Sequence, residues 1–308
     1  MQTEASWIAG TIVRTEGPEY VVAIDRGKVD VQCVLGRRRL GNRPVVGDKV
    51  GIELGEDQRG TINALQPRTS EITRAASGGR RGGTKTIVAN IDRLVVVASA
   101  QEPPPRPGLI DRYLVAARKQ GIAAALCFNK WELAKGGDEA LRAVYSKLGY
   151  PEIAVSAKTG EGLEDLERLL RGRQSAFVGH SGVGKTSLMR LIFPDIELRV
   201  GALNPNTHKG KHTTTHSQLL ALPQGGYVVD TPGIREFGLF EVSSEELATL
   251  FPDFEPYLES CRYRPCSHTH EPGCAIKSAT GTGLEPIRYE GYVRLYEELR
   301  ELESQRYG

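Results

Sequence analysis

The chain has 308 residues, enough for two or three domains, and its 39% hydrophobic and 25% charged side chains are the balance of a globular protein rather than a disordered or fibrous one. A formal net charge of +2 is too small to mark a nucleic-acid binder by charge alone. No run of 18 apolar residues occurs and MQTEASWIAGTIVR lacks the basic start and apolar run of a secretory signal, so neither a membrane-spanning helix nor export is expected, and the cytoplasm is the default location.

The first 70 residues carry five β-like runs, Ile8 to Val13, Tyr20 to Ile24, Val31 to Leu35, Lys49 to Leu54 and Thr61 to Leu65, separated by Gly, Pro or charged turns. That spacing predicts a small closed barrel over residues 1–72, with an OB-fold leading and an SH3-like barrel or irregular β-domain as alternatives. Such barrels often bind RNA, but fold alone does not assign that role. Arginines gather at Arg37, Arg38, Arg39 and Arg43, and again at Arg74, Arg80 and Arg81 with Lys85. These runs read either as solvated surface or as contacts for a phosphate backbone. The stretch RAASGGRRGGTKT is rich in Gly and Arg without periodicity, so residues 73–86 are expected to be a mobile linker.

From residue 87 the pattern changes to strands alternating with helices. Leu94 to Ala98 is a continuous β-branched run of the kind buried in a parallel sheet, and a proline-rich turn, EPPPRPG, follows it. A helix is predicted over 109–120, a strand over 122–128, a helix over 138–148 and a strand over 153–155. Helix 163–170, strand 176–178 and helix 186–192 complete the run. This order predicts a doubly wound α/β domain over residues 87–240. Residues 241–308 are helical and cysteine-rich. SSEELATLF opens with a capping box, Ser243 to Glu246, and the last segment sets Tyr289, Tyr292, Val293, Tyr296 and Leu299 on one helical face that reads as packing.

Residues 179–186, GHSGVGKT, fit the phosphate-loop pattern between an apolar strand and a helix. Gly179, His180, Ser181, Gly182, Val183 and Gly184 would wrap backbone N–H groups around an anion. Lys185 adds a cation for the phosphates, Thr186 a hydroxyl for Mg²⁺, and Ser187 continues the first helical turn, whose positive end faces the same charge.

Upstream, Asn129, Lys130 and Glu132 belong to NKWE at the end of an apolar strand. GTPases carry N-K-x-D there, and the carboxylate accepts from the guanine N1–H and N2–H₂, a donor pair that adenine lacks. Glu132 keeps the carboxylate on one more methylene. Ser156, Ala157 and Lys158 form SAK after the next strand, in the register of the loop that supports the base. Asp230 and Gly233 of DTPG would hold Mg²⁺ through water and donate to the γ-phosphate. In KGKHTTTH, one of Thr213 to Thr215, here assigned to Thr214, would reach Mg²⁺. Ile234 stands where many GTPases place a water-orienting Gln, so His212 is the catalytic candidate, the alternative being an exposed loop histidine. NKWE precedes the phosphate loop by about fifty residues, the reverse of the familiar order, so the nucleotide domain is circularly permuted.

Of the five cysteines, Cys33 and Cys127 sit in apolar runs and read as buried small hydrophobes. Cys261, Cys266 and Cys274, with His268 or His270, suit a closed tetrahedral zinc site with a structural role.

NKWE, SAK, GHSGVGKTS, GKHTTTH, DTPGIREFGL and CRYRPCSHTHEPGCA together resemble the ribosome small-subunit-dependent GTPase A family, RsgA, also called YjeQ, over nearly the whole chain. The resemblance implies an OB-fold, a permuted GTPase domain and a zinc-binding helical domain, and it favours His268 as the fourth ligand. It further implies GTP hydrolysis stimulated by the 30S subunit and a role in its late maturation; the basic loops of barrel and linker would then contact its 16S rRNA, and a monomer is expected. Glu132 is the main departure from the strict GTPase pattern. Two other readings are a nucleotide-regulated RNA-binding module with incidental hydrolysis and a permuted GTPase of large-subunit assembly.

Overall fold

The computed structural model describes residues 7–24, 27–37, 40–75, 84–194, 217–230, 239 and 242–307. Arg38, Arg39, Arg80 and Arg81 lie outside them, as does the Arg74 side chain. In chain order the strands are β1 (Ile8–Glu16), β2 (Glu19–Ile24), β3 (Val29–Leu35), β4 (Lys49–Leu54), β5 (Gly60–Leu65), β6 (Glu71–Ala75), β7 (Thr84–Ala89), β8 (Arg93–Ser99), β9 (Ala123–Asn129), β10 (Glu152–Ala154), β11 (Gln174–Val178), β12 (Gln218–Ala221) and β13 (Tyr227–Asp230). The helices are α1 (Pro107–Lys119), α2 (Gly136–Ser146), α3 (Leu163–Leu170), α4 (Lys185–Ile192), α5 (Ala275–Ala279) and α6 (Pro286–Tyr307). None of the described helices is long and apolar enough to cross a membrane. The chain forms two units, one of residues 1–94, 167–177 and 186–236, the other of 95–166, 178–185 and 237–308.

In the first unit β1 pairs antiparallel with β2, β2 with β3 and β5 with β4, β4 returns to β1, and β3 runs parallel to β5. The ring β1-β2-β3-β5-β4 is closed, the five-stranded barrel of the OB type. Alternation along each strand fills its interior, so Ile12, Tyr20, Val22, Val31, Cys33, Val50, Ile52 and Ile62 form the core. β1 serves two further partners. Ile8 to Thr11 face β4, and after a register shift between Ile12 and Arg14 the strand pairs through Arg14 with Gln218 of β12. β12 is antiparallel to β13, and β13 is parallel to β11. β6 and β7 form an antiparallel ribbon that takes in both ends of the expected linker. Arg68 fixes its base, gripping both Asp48 carboxylate oxygens at 2.8 and 2.9 Å and reaching Glu71 and Thr86.

In the second unit β9 lies between β8 and β10, with β10 parallel to β9. The burial of β9 on both faces explains its unbroken apolar run. Val115 of α1 joins Leu247, Phe251, Phe254, Ile276, Tyr292, Leu295 and Leu299 in one apolar core, so the C-terminal helices share a core with α1. The stripe on α6 packs, as its spacing predicts. Inside this core Arg288 donates to Asp111 and to both oxygens of Asp253, and its guanidinium lies 4.6 Å from the Phe251 ring centre. Tyr145 Oη donates to the same Asp111 oxygen at 2.8 Å. Burial raises the Asp111 carboxyl to about 6, against the pull of Arg288.

One expectation needs correction. The capping box at Ser243 forms, the Ser243 N–H donating to Glu246 at 2.9 Å and the Glu246 N–H to Ser243 Oγ at 3.3 Å. No α-helix follows it; Leu247–Leu250 is a short 3₁₀ turn, because Phe251 precedes Pro252 and takes an extended conformation.

Candidate functional site

The phosphate-loop glycines are dictated by backbone shape. Gly184 has φ +93°, and a Cβ there would stand 2.2 Å from Asn129 Nδ2. The side chain that forbids it is the first residue of NKWE. Asn129, 1% exposed, donates from Nδ2 to the Val183 carbonyl at 2.8 Å and accepts the Ala157 N–H at Oδ1 at 3.0 Å. One buried amide therefore joins the phosphate loop, the NKWE turn and the SAK loop, three segments the sequence keeps apart. Both bonds need an amide, since a carboxylate has no donor and an aliphatic chain has neither group.

Around this hub the turns are set by backbone bonds. The Trp131 N–H donates to the Val155 carbonyl at 3.1 Å, and Lys130 takes a left-handed conformation, φ +57°, ahead of the 3₁₀ turn Trp131–Leu133. Glu132 lies exposed in that turn. Ser156 is buried, and its hydroxyl accepts the Thr159 N–H at 3.1 Å while its carbonyl accepts the Gly160 N–H at 2.8 Å. Lys158 is exposed and Ala157 half-buried.

In the loop itself Lys185 folds back to donate to the Gly179 and His180 carbonyls at 2.7 and 2.8 Å. His180 Nδ1 lies 2.6 Å from the Ser181 carbonyl. Ser181 and Gly182 are exposed, Val183 is buried, and Thr186 and Ser187 are exposed in the first turn of α4. Asp230 ends β13, where its carboxylate accepts from Gln218 Nε2 at 3.1 Å. His212, Thr213, Thr214, Thr215 and Gly233 lie outside the described residues.

The second cluster is Cys261, Cys266, His268 and Cys274, whose ligand atoms all lie within 4.8 Å of one another. Cys261 and Cys274 Sγ are 4.0 Å apart, and each is 3.5 Å from His268 Nδ1. A tetrahedral zinc ion at ordinary bond lengths sets S–S near ~3.8 Å and S–N near ~3.5 Å, so the donor set fits that metal. His268 is buried with φ +60°, and Tyr289 holds its carbonyl at 2.9 Å. The His270 side chain is 82% exposed, which separates the two histidines the spacing left open. Burial and the neighbouring sulfurs push the Cys266 thiol up to about 12, burial raises the Cys274 thiol, and burial lowers the His268 imidazole, so these three groups favour their uncharged forms. A metal ion reverses that preference for the sulfurs.

Sequence reasoning missed Ser99, Gln101 and Glu102, which stand against this site. Their only signal was the proline run that follows them.

A strand-loop-helix segment of the phosphate-loop pattern, tied through Asn129 to an NKWE turn that precedes it in the chain, has the order of a circularly permuted P-loop GTPase. A model of the RsgA GTPase family matches residues 65–240. The Small ribosomal subunit biogenesis GTPase RsgA of Gemmatimonas aurantiaca is 40% identical over 298 residues, covering 94% of this chain and 97% of that one. Its namesake in Azotobacter vinelandii is 44% identical over 301 residues, 96% of this chain and 86% of the relative. Among solved structures, YjeQ from Thermotoga maritima superposes with a TM-score of 0.77 at 31% identity, covering 95% of this chain and 98% of that one. YloQ, described as a circularly permuted GTPase, gives 0.76 at 29% identity and 98% of both chains. The chain belongs to the RsgA GTPase family and is a GTP-hydrolysing enzyme.

Proposed function

We propose that this GTPase binds the small ribosomal subunit in its GTP form, acts in late maturation of that subunit, and leaves after hydrolysis to GDP and phosphate. The observation that carries the nucleotide half is Asn129 bonded at once to Val183 and Ala157. The relatives named for small-subunit biogenesis, at about 40% identity over nearly the whole chain, support the other half. In this reading Asn129, Lys130, Glu132 and Ser156 to Lys158 take the guanine base, and Gly179 to Ser187 take the phosphates. Asp230 and Gly233 complete the γ-phosphate side. Thr186 and Asp230 offer the hard oxygen donors that suit Mg²⁺, with Thr214 as a further ligand, and when bound there the ion would supply positive charge against that developing on the transferred phosphoryl group. His212 orients the attacking water; His212→Ala should cut turnover sharply while GTP affinity holds, and unchanged turnover removes it from the mechanism. Cys261, Cys266, His268 and Cys274 would hold one structural Zn²⁺.

The division into barrel (1–72), basic linker (73–86), GTPase domain (87–240) and zinc-binding domain (241–308) belongs to the same reading. So do a cytoplasmic, monomeric protein and 16S rRNA contact through basic residues such as Arg37, Arg43 and Lys85, with the steep salt dependence of phosphate binding. The test is the GTPase rate alone, with 30S and with 50S particles. Strong stimulation by 30S only is expected. Stimulation by 50S only, or by neither, overturns the assignment.

A further inference from the structure

We propose that Ser99 is a positioning residue for the guanine nucleotide, acting through Lys130; this rests on the reading of the NKWE turn as the base site. Ser99 is the last residue of β8 and has no exposed surface. Its hydroxyl donates to the Pro103 carbonyl at 2.6 Å, closing the turn Ser99-Ala-Gln-Glu-Pro103. Within that turn the Glu102 carbonyl accepts from Lys130 Nζ. Gln101 Nε2 secures the other flank on Asp138 at 2.9 Å, and the same Asp138 oxygen accepts the Lys135 N–H that opens α2. Pro103 in turn borders the phosphate loop, its Cδ 3.4 Å from where a Cβ on Gly182 would stand. The proline-rich segment is thus a wall fixed from behind by Ser99 and Gln101, bonded to the NKWE turn through Glu102 and bordering the phosphate loop at Gly182.

The consequence lies in Lys130. Its ammonium would otherwise swing on four methylenes, a large rotamer entropy to lose when a ligand arrives. Anchored on the Glu102 carbonyl, the side chain is held stretched from the NKWE turn to the wall by the protein's own groups, and a restraint supplied by the protein lowers the ordering cost of binding. Ser99 touches no ligand itself; it holds the carbonyl that holds Lys130.

The test is a double-mutant cycle read by the release rate of a fluorescent GDP analogue and by steady-state and single-turnover GTP hydrolysis, on the full chain. Ser99→Ala removes one neutral hydrogen bond and should speed GDP release and raise the GTP KM roughly fivefold, with the single-turnover rate at saturating GTP unchanged. Lys130→Met should speed release on its own, and in that background Ser99→Ala should add nothing. Gln101→Ala, on the half-buried flank, should show the same dependence on Lys130 and serves if the Ser99 variant folds poorly. An equal effect of Ser99→Ala in both backgrounds makes Ser99 merely structural and overturns the proposal, as does no effect in either. If Lys130→Met leaves GDP release unchanged, the base-site reading falls with it. If Lys130→Met speeds release and Ser99→Ala does not, only the proposal falls.

Discussion

Gly184→Ala is the sharpest perturbation of the hub. The new Cβ would lie 2.2 Å from Asn129 Nδ2, more than 1 Å short of ordinary contact. Asn129 has no room to yield, being buried and bonded on both sides. Moving its amide by about 1 Å breaks the bond to Val183 and loosens that to Ala157, and a buried backbone group left without its partner costs about 1–3 kcal/mol. The positive φ of +93° adds strain of about 1–3 kcal/mol for a residue with a Cβ. Gly182→Ala separates the two terms. It carries the same kind of strain, φ +84°, but its Cβ would meet only the Pro103 ring, Cδ at an ordinary 3.4 Å and Cγ at 4.0 Å. Urea unfolding and GDP titration should therefore rank Gly184→Ala about 2–3 kcal/mol worse than Gly182→Ala in stability, with GDP affinity lost in the former. Equal costs for the two variants would refute the reasoning that Asn129 is a rigid link.

His268→Ala should abolish stoichiometric zinc in the purified protein while His270→Ala retains it, by atomic absorption; the reverse result would put His270 in the ligand set. Glu132→Ala should weaken GDP binding by roughly tens to a hundredfold, the worth of hydrogen bonds to a charged group, and leave ADP binding unchanged; a parallel change in both removes Glu132 from base discrimination. Asp111 titrates near 6 in the folded chain against an ordinary 3.8, so its contribution to stability is full below about pH 4 and is lost as pH rises through 6. Two pH units correspond to about 3 kcal/mol, so Asp111→Asn, which does not ionise there, should gain on the parent by up to that amount between pH 4 and 7 in urea unfolding. Parallel pH profiles would show that the Arg288 pair fully offsets the burial of Asp111.

What the sequence reveals is chemistry carried by a few adjacent residues. GHSGVGKT, NKWE and the cysteine cluster state their geometry in their spacing, and Leu94 to Ala98 states its burial in its composition. What it hides is pairing between distant segments. Arg14 meeting Gln218 extends β1 beyond the barrel, and Arg288 meeting Asp111 binds α6 to α1; neither partner carries a mark of the other. The alternation in the first five strands gave a barrel, but only the parallel β3–β5 pair and the return of β4 to β1 specify the OB arrangement. The capping box at Ser243 was readable and formed, yet a local signal for starting a helix says nothing of how soon Pro252 ends it. The linker looked structureless because Gly and Arg dominate its middle, while the pairing of β6 with β7 at its ends is specified by Arg68, outside the segment.

Isothermal titration of the purified chain with GDP and with ADP tests the core claim most directly. A phosphate loop coupled through Asn129 to a guanine-reading turn predicts saturable, one-to-one binding of GDP and none of ADP at the same concentrations. Equal affinity for the two nucleotides, or indifference to both, would contradict it.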